Sequence, residues 1–189
     1  MNIILCGKSG SGKDWARNYI IENYGFTPII SHTTRPIREN EKHGKDYYFI
    51  SKTIFLDMLE NDKFVETRCY DTLVDGISDS WFYGTSYQEM QQEKAVGIKD
   101  LDGARQLKWF CKNVVIIYID VCDEIRTERA KGRGSFCETE WSRRLKADAE
   151  DFTYVDVMRT ADYIIDNNFD EAEFKLELDK VLVQILEEN

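Results

Sequence analysis

A run of glycines and lysines near the N-terminus has the residue types and spacing of a phosphate-binding loop. The sequence from Gly7 to Lys13 reads GKSGSGK and matches the pattern G-x-x-x-x-G-K. Its glycines let successive backbone N–H groups turn toward phosphate oxygens, and Lys13 adds a positive charge between phosphates. A glycine-rich turn without a ligand is the alternative, but an apolar run precedes the loop and a helical pattern follows it, as the motif requires. The pattern predicts a nucleoside triphosphate site formed by Gly7, Lys8, Ser9, Gly10, Ser11, Gly12, Lys13 and Asp14.

Asp14 stands where this pattern normally has Ser or Thr, whose hydroxyl contacts Mg²⁺. A carboxylate also offers Mg²⁺ a hard oxygen ligand, either directly or through a water molecule. Alternatively, Asp14 only offsets the dipole of the helix that begins here. Both interpretations stay open, and Asp14 is the candidate metal ligand.

A second group of polar residues follows between positions 31 and 49. It reads SHTTRPIR from Ser31 to Arg38 and continues with Glu41, Gly44, Asp46, Tyr47 and Phe49. Arg35 and Arg38 are three residues apart, so both guanidinium groups can donate to one phosphate, and the Ser31 and Tyr47 hydroxyls can add donors. Taken alone, the two arginines could instead be ordinary surface charges. The whole pattern, S-x-T-T-R-x-x-R-x-x-E-x-x-G-x-D-Y-x-F, resembles the nucleoside-monophosphate-binding segment of guanylate kinases.

The resemblance extends from Gly7 to about Ala172 and implies transfer of a phosphoryl group from ATP to GMP or dGMP, giving ADP and GDP or dGDP, with Mg²⁺. The sequence FVE that ends at Glu66 is similar to the family motif F-[IV]-E, whose Glu accepts from guanine. Similarly, Tyr83-Gly84-Thr85 resembles the motif Y-G-[ST]. The implied GMP-binding residues are Ser31, Arg35, Arg38, Tyr47, Glu66, Tyr83, Thr85 and Asp100.

Two features leave the acceptor site open to alternatives. Asp100 aligns without a gap with a family carboxylate near the purine amino group, whereas a gap would give that place to Asp102; either residue could instead cap the following helix. The connection between Glu66 and Tyr83 is longer than the family pattern suggests, so it could move Tyr83 or cover the monophosphate.

A basic segment from Arg129 to Arg144 resembles the lid of these kinases, in R-x-x-G-R-G and [KR]-R-L. Mobile arginines on a closing lid can neutralise the charge that spreads over the transferred phosphoryl group. A solvated basic face is the alternative. The resemblance implies that the catalytic residues are Lys13, Arg129, Arg133 and Arg144, with Arg144 preferred over Arg143.

The elements that must position these residues alternate between strand and helix. Apolar runs at 2–6, 95–99, 114–119 and 163–165 predict strands, and helical patterns separate them. We predict an α/β fold with a P-loop NTPase-type parallel sheet flanked by helices, a small α+β nucleoside-monophosphate-binding insert and a helical lid. The core comprises residues 1–30 and 88–189, the insert 31–87 and the lid about 126–145. One long helix is expected over residues 138–160.

Composition excludes several other classes of protein. The 189 residues include 42% hydrophobic residues and carry a net charge of −10, which argues against disorder and against a general binder of nucleic acid or anionic membranes. The five scattered cysteines suggest neither a disulfide framework nor a zinc site, and we expect a cytoplasmic monomer or homodimer. The alternatives are a kinase of another nucleoside or deoxynucleoside monophosphate, and a non-catalytic guanylate-kinase-like module that binds proteins. Such a module is expected to lose the phosphate-binding residues that this chain retains.

Overall fold

The computed structural model describes residues 1–74, 77–132 and 136–188. The strands are β1 (Asn2–Cys6), β2 (Thr27–Pro28), β3 (His32–Thr33), β4 (Tyr48–Phe49), β5 (Phe64–Val74), β6 (Ile77–Ser86), β7 (Ala95–Ile98), β8 (Val114–Asp120) and β9 (Tyr163–Asp166). The helices are α1 (Lys13–Tyr24), α2 (Lys52–Glu60), α3 (Tyr87–Met90), α4 (Leu101–Phe110), α5 (Asp123–Lys131), α6 (Glu138–Asp151), α7 (Tyr154–Thr160) and α8 (Glu171–Glu188). Within the described ranges, no helix is both long and apolar enough to span a bilayer.

The core of the molecule is a parallel sheet of five strands in the order β2-β7-β1-β8-β9. Every residue of β1 is buried, because helices cover both faces of the sheet. Ile3 and Leu5 pack on one face with apolar residues of α1 and α8, whereas Ile4 and Cys6 pack on the other with α4 and α7. The predicted parallel sheet flanked by helices is confirmed.

A second sheet of four strands, in the order β4-β3-β6-β5, forms between residues 32 and 86. Its largest part is the antiparallel hairpin of β5 and β6, in which Arg68 is paired with Tyr83 and Asp71 with Ser80. The long connection noted in the sequence therefore extends this hairpin. The two residues between β5 and β6, at positions 75 and 76, lie outside the described part of the chain.

The prediction of one helix over residues 138–160 is wrong, because the chain forms two helices there. The first, α6, ends at Asp151, and the Thr153 hydroxyl then accepts a hydrogen bond from the Asp156 N–H at 3.2 Å. This contact caps the start of α7, and such local bonds by Thr compete with continuous helix. The break rotates the chain, so Val155 is exposed and is not part of the buried face that contains Trp141.

Candidate active site

The phosphate-binding loop, residues 7–12, joins the carboxyl end of β1 to the start of α1. Gly12 has a φ of 98°, and a Cβ atom there would lie 2.7 Å from Asn167 Nδ2. A Cβ atom on Gly7, whose φ is 151°, would lie 2.6 Å from the Ile119 carbonyl oxygen. Both positions need glycine, because the loop packs directly on β8 and on the residue that follows β9.

Lys13 folds back over this loop. Its Nζ donates hydrogen bonds to the carbonyl oxygens of Gly7 at 2.6 Å and Lys8 at 2.8 Å. Burial lowers the pKa of the ammonium, and the nearby carboxylates of Asp14 and Asp148 oppose that shift. The cation thus lies at the loop, where phosphate oxygens would replace the two carbonyl groups as its partners.

A cavity of about 500 Å³ opens on one side of the loop, beside Gly10 and Gly12. The rings of Trp15 and Phe174 line it with their centroids 5.3 Å apart, which gives it an apolar wall. Asn167 donates from Nδ2 to the Ser11 carbonyl oxygen at 2.9 Å, and Arg129 donates to the Asn167 carbonyl oxygen at 3.0 Å. The cavity also contains Gly132 and Glu171. An apolar wall next to a phosphate-binding loop suits a nucleoside.

A second cavity of about 510 Å³ is lined by Lys13 and by residues of both sheets. It brings together many of the residues that the sequence indicated for the acceptor and for catalysis. The residues that line it are Ser9, Lys13, Ser31, Tyr47, Glu66, Arg68, Tyr70, Tyr83, Ile98, Lys99, Asp100 and Arg144. Their mixture of hydroxyl, acidic and basic groups suits a polar, charged ligand.

Glu66 is buried at this cavity and is held by an ion pair that the sequence analysis missed. Its Oε1 accepts from Lys99 Nζ at 2.7 Å and from Thr85 Oγ1 at 2.7 Å. Lys99 also donates to Ser31 Oγ at 2.6 Å. The only sequence signal was a lysine directly after an apolar parallel strand, at the sheet edge where such folds bind ligands.

Asp100 takes part in the cavity and also caps a helix. Its Oδ1 accepts from the Gly103 N–H at 2.7 Å at the start of α4, and its Oδ2 accepts from Arg68 Nε at 2.9 Å and from the Tyr70 hydroxyl at 3.0 Å. Asp102 pairs with Arg68 at 3.0 Å and with the exposed Arg105. Both uses considered for Asp100 are therefore compatible, and Arg68 links the hairpin to α4.

Arg35 and Arg38, the two arginines expected at the acceptor phosphate, are not among the residues that line the second cavity. Arg35 is buried and makes a bidentate pair with Glu41, at 3.0 and 2.7 Å, with its guanidinium 5.6 Å from the centroid of the Tyr47 ring. This pair lowers the pKa of Glu41, chiefly through the Arg35 hydrogen bonds. Arg38 is exposed, and its backbone N–H donates to Glu41 at 2.9 Å. A phosphate shared by both guanidinium groups would compete with Glu41 for Arg35.

The basic segment supplies arginines to both cavities. Arg129 on α5 lines the first, and Arg144 on α6 lines the second. Arg144 donates to Glu140 at 2.9 Å, and Arg143 pairs with the same carboxylate. Arg133 lies outside the described residues.

A buried ion pair attaches the phosphate-binding loop to α5 and α6, and sequence reasoning did not find it. Arg126 is fully buried; its Nη1 donates to the Ser9 carbonyl oxygen at 2.8 Å and to Asp148 at 2.6 Å. Asp148 also accepts from the Ser9 backbone N–H at 2.9 Å. The two side chains are 22 residues apart, on helices whose packing no local pattern reveals.

Asp14 is exposed in the first turn of α1, where it faces Lys13 and Tyr47 closely enough to affect both pKa values. In the part of the chain that the structure describes, no group of three or more His, Cys, Asp and Glu side chains could hold a metal ion. A single carboxylate still fits Mg²⁺ bound with a nucleotide, since this ion keeps several waters and takes its other ligands from phosphates.

Comparison with known proteins decides the family. The sequence model described as guanylate kinase matches residues 1–183. This chain belongs to the guanylate kinase family. It is 34% identical over 172 residues to the guanylate kinase of Geobacter sulfurreducens, covering 87% of this chain and 79% of that relative. It is 30% identical to the guanylate kinase of Prochlorococcus marinus, covering 97% of this chain and 93% of the relative.

A solved structure shares the fold of this guanylate kinase. The crystal structure of guanylate kinase from Anaplasma phagocytophilum aligns with a TM-score of 0.67 and 24% identity, over 100% of this chain and 85% of that one. The resemblance seen in the sequence is confirmed, as is the activity it implied: ATP-dependent phosphorylation of GMP.

Proposed function

We propose that the two cavities are the two substrate sites, with ATP in the cavity beside Trp15 and Phe174 and GMP or dGMP in the cavity beside Glu66. The observation that carries this assignment is that both cavities adjoin the phosphate-binding loop: Gly10 and Gly12 line the first, and Ser9 and Lys13 line the second. Phosphates extending from both nucleosides would meet there. The insert of residues 31–87 then holds the acceptor, and residues 1–30 and 88–189 hold the donor.

In this arrangement the protein acts by positioning and by neutralising charge. Lys13 and the loop N–H groups hold the triphosphate, while arginines from both lid helices face the two cavities. The acceptor phosphate is already ionised near neutral pH, so no side chain has to remove a proton from it. The proposed catalytic residues are Lys13, Arg129, Arg133 and Arg144.

On the acceptor side, the proposed contacts are of two kinds. Glu66 and Asp100 accept from the base, with Ser31, Tyr83 and Thr85 beside them. Arg35, Arg38 and Tyr47 bind the phosphate, which would replace Glu41 as the partner of Arg35. The sugar can be ribose or deoxyribose.

Lys13→Ala tests the assignment of the phosphate site. We expect kcat to fall by roughly 100- to 1,000-fold, the usual effect of removing one preorganised donor from a developing charge. Lys180→Ala, which removes an exposed ion pair with Glu177 on α8, is the matched control and should leave turnover unchanged. Turnover by Lys13→Ala within threefold of the unsubstituted enzyme would contradict the assignment.

For the metal, we propose that Asp14 holds Mg²⁺ together with the ATP phosphates, where the ion would offset phosphate charge. In Asp14→Ala, the Mg²⁺ concentration that gives half-maximal turnover should rise about tenfold. In Asp14→Asn, which keeps an oxygen ligand, this Mg²⁺ concentration should rise less. An unchanged Mg²⁺ dependence in Asp14→Ala would leave Asp14 with only its helix-dipole role.

The enzyme's setting is proposed on composition. Five free cysteines and a net charge of −10 fit a cytoplasmic enzyme that binds small nucleotides and neither nucleic acid nor membranes, as a monomer or a homodimer.

A further inference from the structure

Glu66 already receives two hydrogen bonds from its own chain at the acceptor cavity. Both go to Oε1: one from Lys99 Nζ and one from Thr85 Oγ1, each at 2.7 Å. A carboxylate oxygen has about two lone-pair sites, so these donors fill Oε1 and the remaining capacity is on Oε2. The side chain of Glu66 is only 2% exposed, so water does little to stabilise its charge.

The Lys99 ammonium uses all of its hydrogen-bond donors within the protein. Its three N–H donors go to Glu66, to Ser31 Oγ at 2.6 Å and to Thr85 Oγ1. The Lys99 side chain is 10% exposed, and its backbone N–H donates to the Leu5 carbonyl oxygen at 3.1 Å, which fixes it to the core sheet. No donor is left for a ligand, so this lysine acts on Glu66 and its neighbours.

We propose that Lys99 sets the base selectivity of this kinase by holding Glu66 as a hydrogen-bond acceptor toward the base. An ionised carboxylate only accepts hydrogen bonds. It matches the N1–H and amino donors of guanine, and it is mismatched with N1 of adenine, which is an acceptor. Lys99 supports this accepting role, because it donates to Oε1 and leaves Oε2 to accept from the base. Lys99 is therefore a positioning residue, and its role rests on the proposed placement of the base at Glu66.

Other titratable and charged groups surround this pair. On β3, His32 lies close enough to Lys99 for the lysine charge to affect its pKa, as does Cys6 on β1. The remaining titratable or charged side chains at the cavity are Lys13, Tyr47, Arg68, Tyr70, Tyr83, Asp100 and Arg144. Within the described residues, Lys99 is the cation in contact with Glu66.

The test is the ratio of kcat/KM for GMP to kcat/KM for AMP, measured from pH 6 to pH 9. The unsubstituted enzyme should keep one ratio across this range. In Lys99→Met the ratio should fall at least tenfold throughout this range, mainly through a higher KM for GMP, because the buried carboxylate is no longer held by a cation. The KM for ATP should not change. Lys108→Met is the matched control: it removes the ion pair between Lys108 on α4 and Asp162, and it should behave like the unsubstituted enzyme.

Two further variants keep the proposal falsifiable if Lys99→Met does not fold. Lys99→Arg retains the charge and should keep the normal ratio at every pH. Glu66→Gln carries an amide donor at every pH and should lower the ratio without pH dependence. A normal ratio in Lys99→Met at pH 6, or a lowered one in Lys99→Arg, would overturn the role of Lys99. An unchanged ratio in Glu66→Gln would overturn the placement of the base as well.

Discussion

The phosphate-binding loop is supported by charged side chains that lie outside it. Arg126 is wholly buried between the Ser9 carbonyl oxygen and Asp148, with its guanidinium 5.7 Å from the centroid of the Trp141 ring. Asp148 also accepts from the Ser9 N–H. A buried arginine needs such partners, because desolvation of an unpaired charge costs several kcal/mol. The pair therefore fixes Ser9, and the position of the phosphate-binding loop depends on both Arg126 and Asp148.

Removing Asp148 should destabilise the protein and loosen the loop. In Asp148→Ala, Arg126 keeps only partial compensation, so we expect the free energy of unfolding to fall by about 3 kcal/mol. The KM for ATP should rise, since Ser9 loses its anchor. Urea unfolding and steady-state kinetics measure the two effects.

The control for this loss is Glu177→Ala, which removes an exposed pair with Lys180 and should cost less than about 1 kcal/mol. If Asp148→Ala unfolds at the same urea concentration as Glu177→Ala, the buried pair does not have the assigned role.

At this scale, the sequence predicted the site residues that belong to continuous motifs. Tyr47, Glu66 and Asp100 do lie at one cavity, although their contacts with substrate remain predictions. It missed Lys99 and Arg126, because each acts through a partner distant in sequence. The sequence also could not indicate that Arg35 pairs with Glu41 in this structure. The same motif is compatible with Arg35 binding either Glu41 or a phosphate.

At the scale of elements, α5 and α6 carry the arginines proposed for the lid, and Glu140 in the first turn of α6 contacts one of them, Arg144. Glu140 accepts from both Arg143 and Arg144. These hydrogen bonds, first from Arg143 and then from Arg144, lower the pKa of Glu140 from its ordinary value of 4.5 to about 2. The carboxylate thus holds Arg144 at the edge of the acceptor cavity.

The pH dependence of stability should show the contribution of the ion pairs of Glu140 with Arg143 and Arg144. Because the pKa of Glu140 is lowered on folding, its contribution is complete above about pH 4.5 and is lost as the pH falls toward 2. The Glu140 side chain is 43% exposed, so the contribution is below about 1 kcal/mol. Glu140→Gln should reduce the loss of thermal stability between pH 4.5 and pH 2.5.

A suitable comparison is Glu124→Gln, in the first turn of α5, which should keep the full pH dependence. Identical melting curves of Glu140→Gln and the unsubstituted protein at pH 6 and at pH 2.5 would show that the ion pair has no effect.

The sequence predicted the boundaries of elements with strong apolar periodicity. It missed a boundary that is set by a helix-capping hydrogen bond. Four of the five strands of the core sheet, all but β2, follow from runs such as VVIIYI, and α8 follows from the spacing of Phe174, Leu178 and Leu182. The division of α6 from α7 depends on one hydrogen bond of Thr153, which periodicity does not register. Similarly, the long connection before Tyr83 has no apolar alternation that would identify it as a hairpin.

At the scale of the whole molecule, the two cavities adjoin one phosphate-binding loop and are bounded by different elements. The cavity beside Trp15 and Phe174 is lined mainly by residues of α1, α5 and α8. The cavity beside Glu66 is lined mainly by residues 31–87, together with Lys13, Lys99, Asp100 and Arg144 among others. Direct transfer between two bound nucleotides requires exclusion of water, so these elements should approach one another when both sites are filled.

Small-angle scattering should detect this closure. An analogue that joins adenosine and guanosine through a polyphosphate would fill both sites, and we expect the radius of gyration to decrease from the roughly 16 Å of a chain of this length. GMP alone should give a smaller decrease. Superimposable scattering curves with and without the analogue, at concentrations shown by calorimetry to saturate the protein, would contradict closure.

The most direct test of the whole account is a coupled assay of ADP release with ATP and Mg²⁺. The acceptors are GMP, dGMP, AMP, UMP, CMP and dTMP, and Lys13→Ala serves as the low-activity control. We expect turnover with GMP and dGMP only, reduced at least 100-fold in Lys13→Ala. Turnover with a different base would contradict the role assigned to Glu66, and absence of turnover from folded protein that binds ATP would contradict the assignment of the two cavities as donor and acceptor sites.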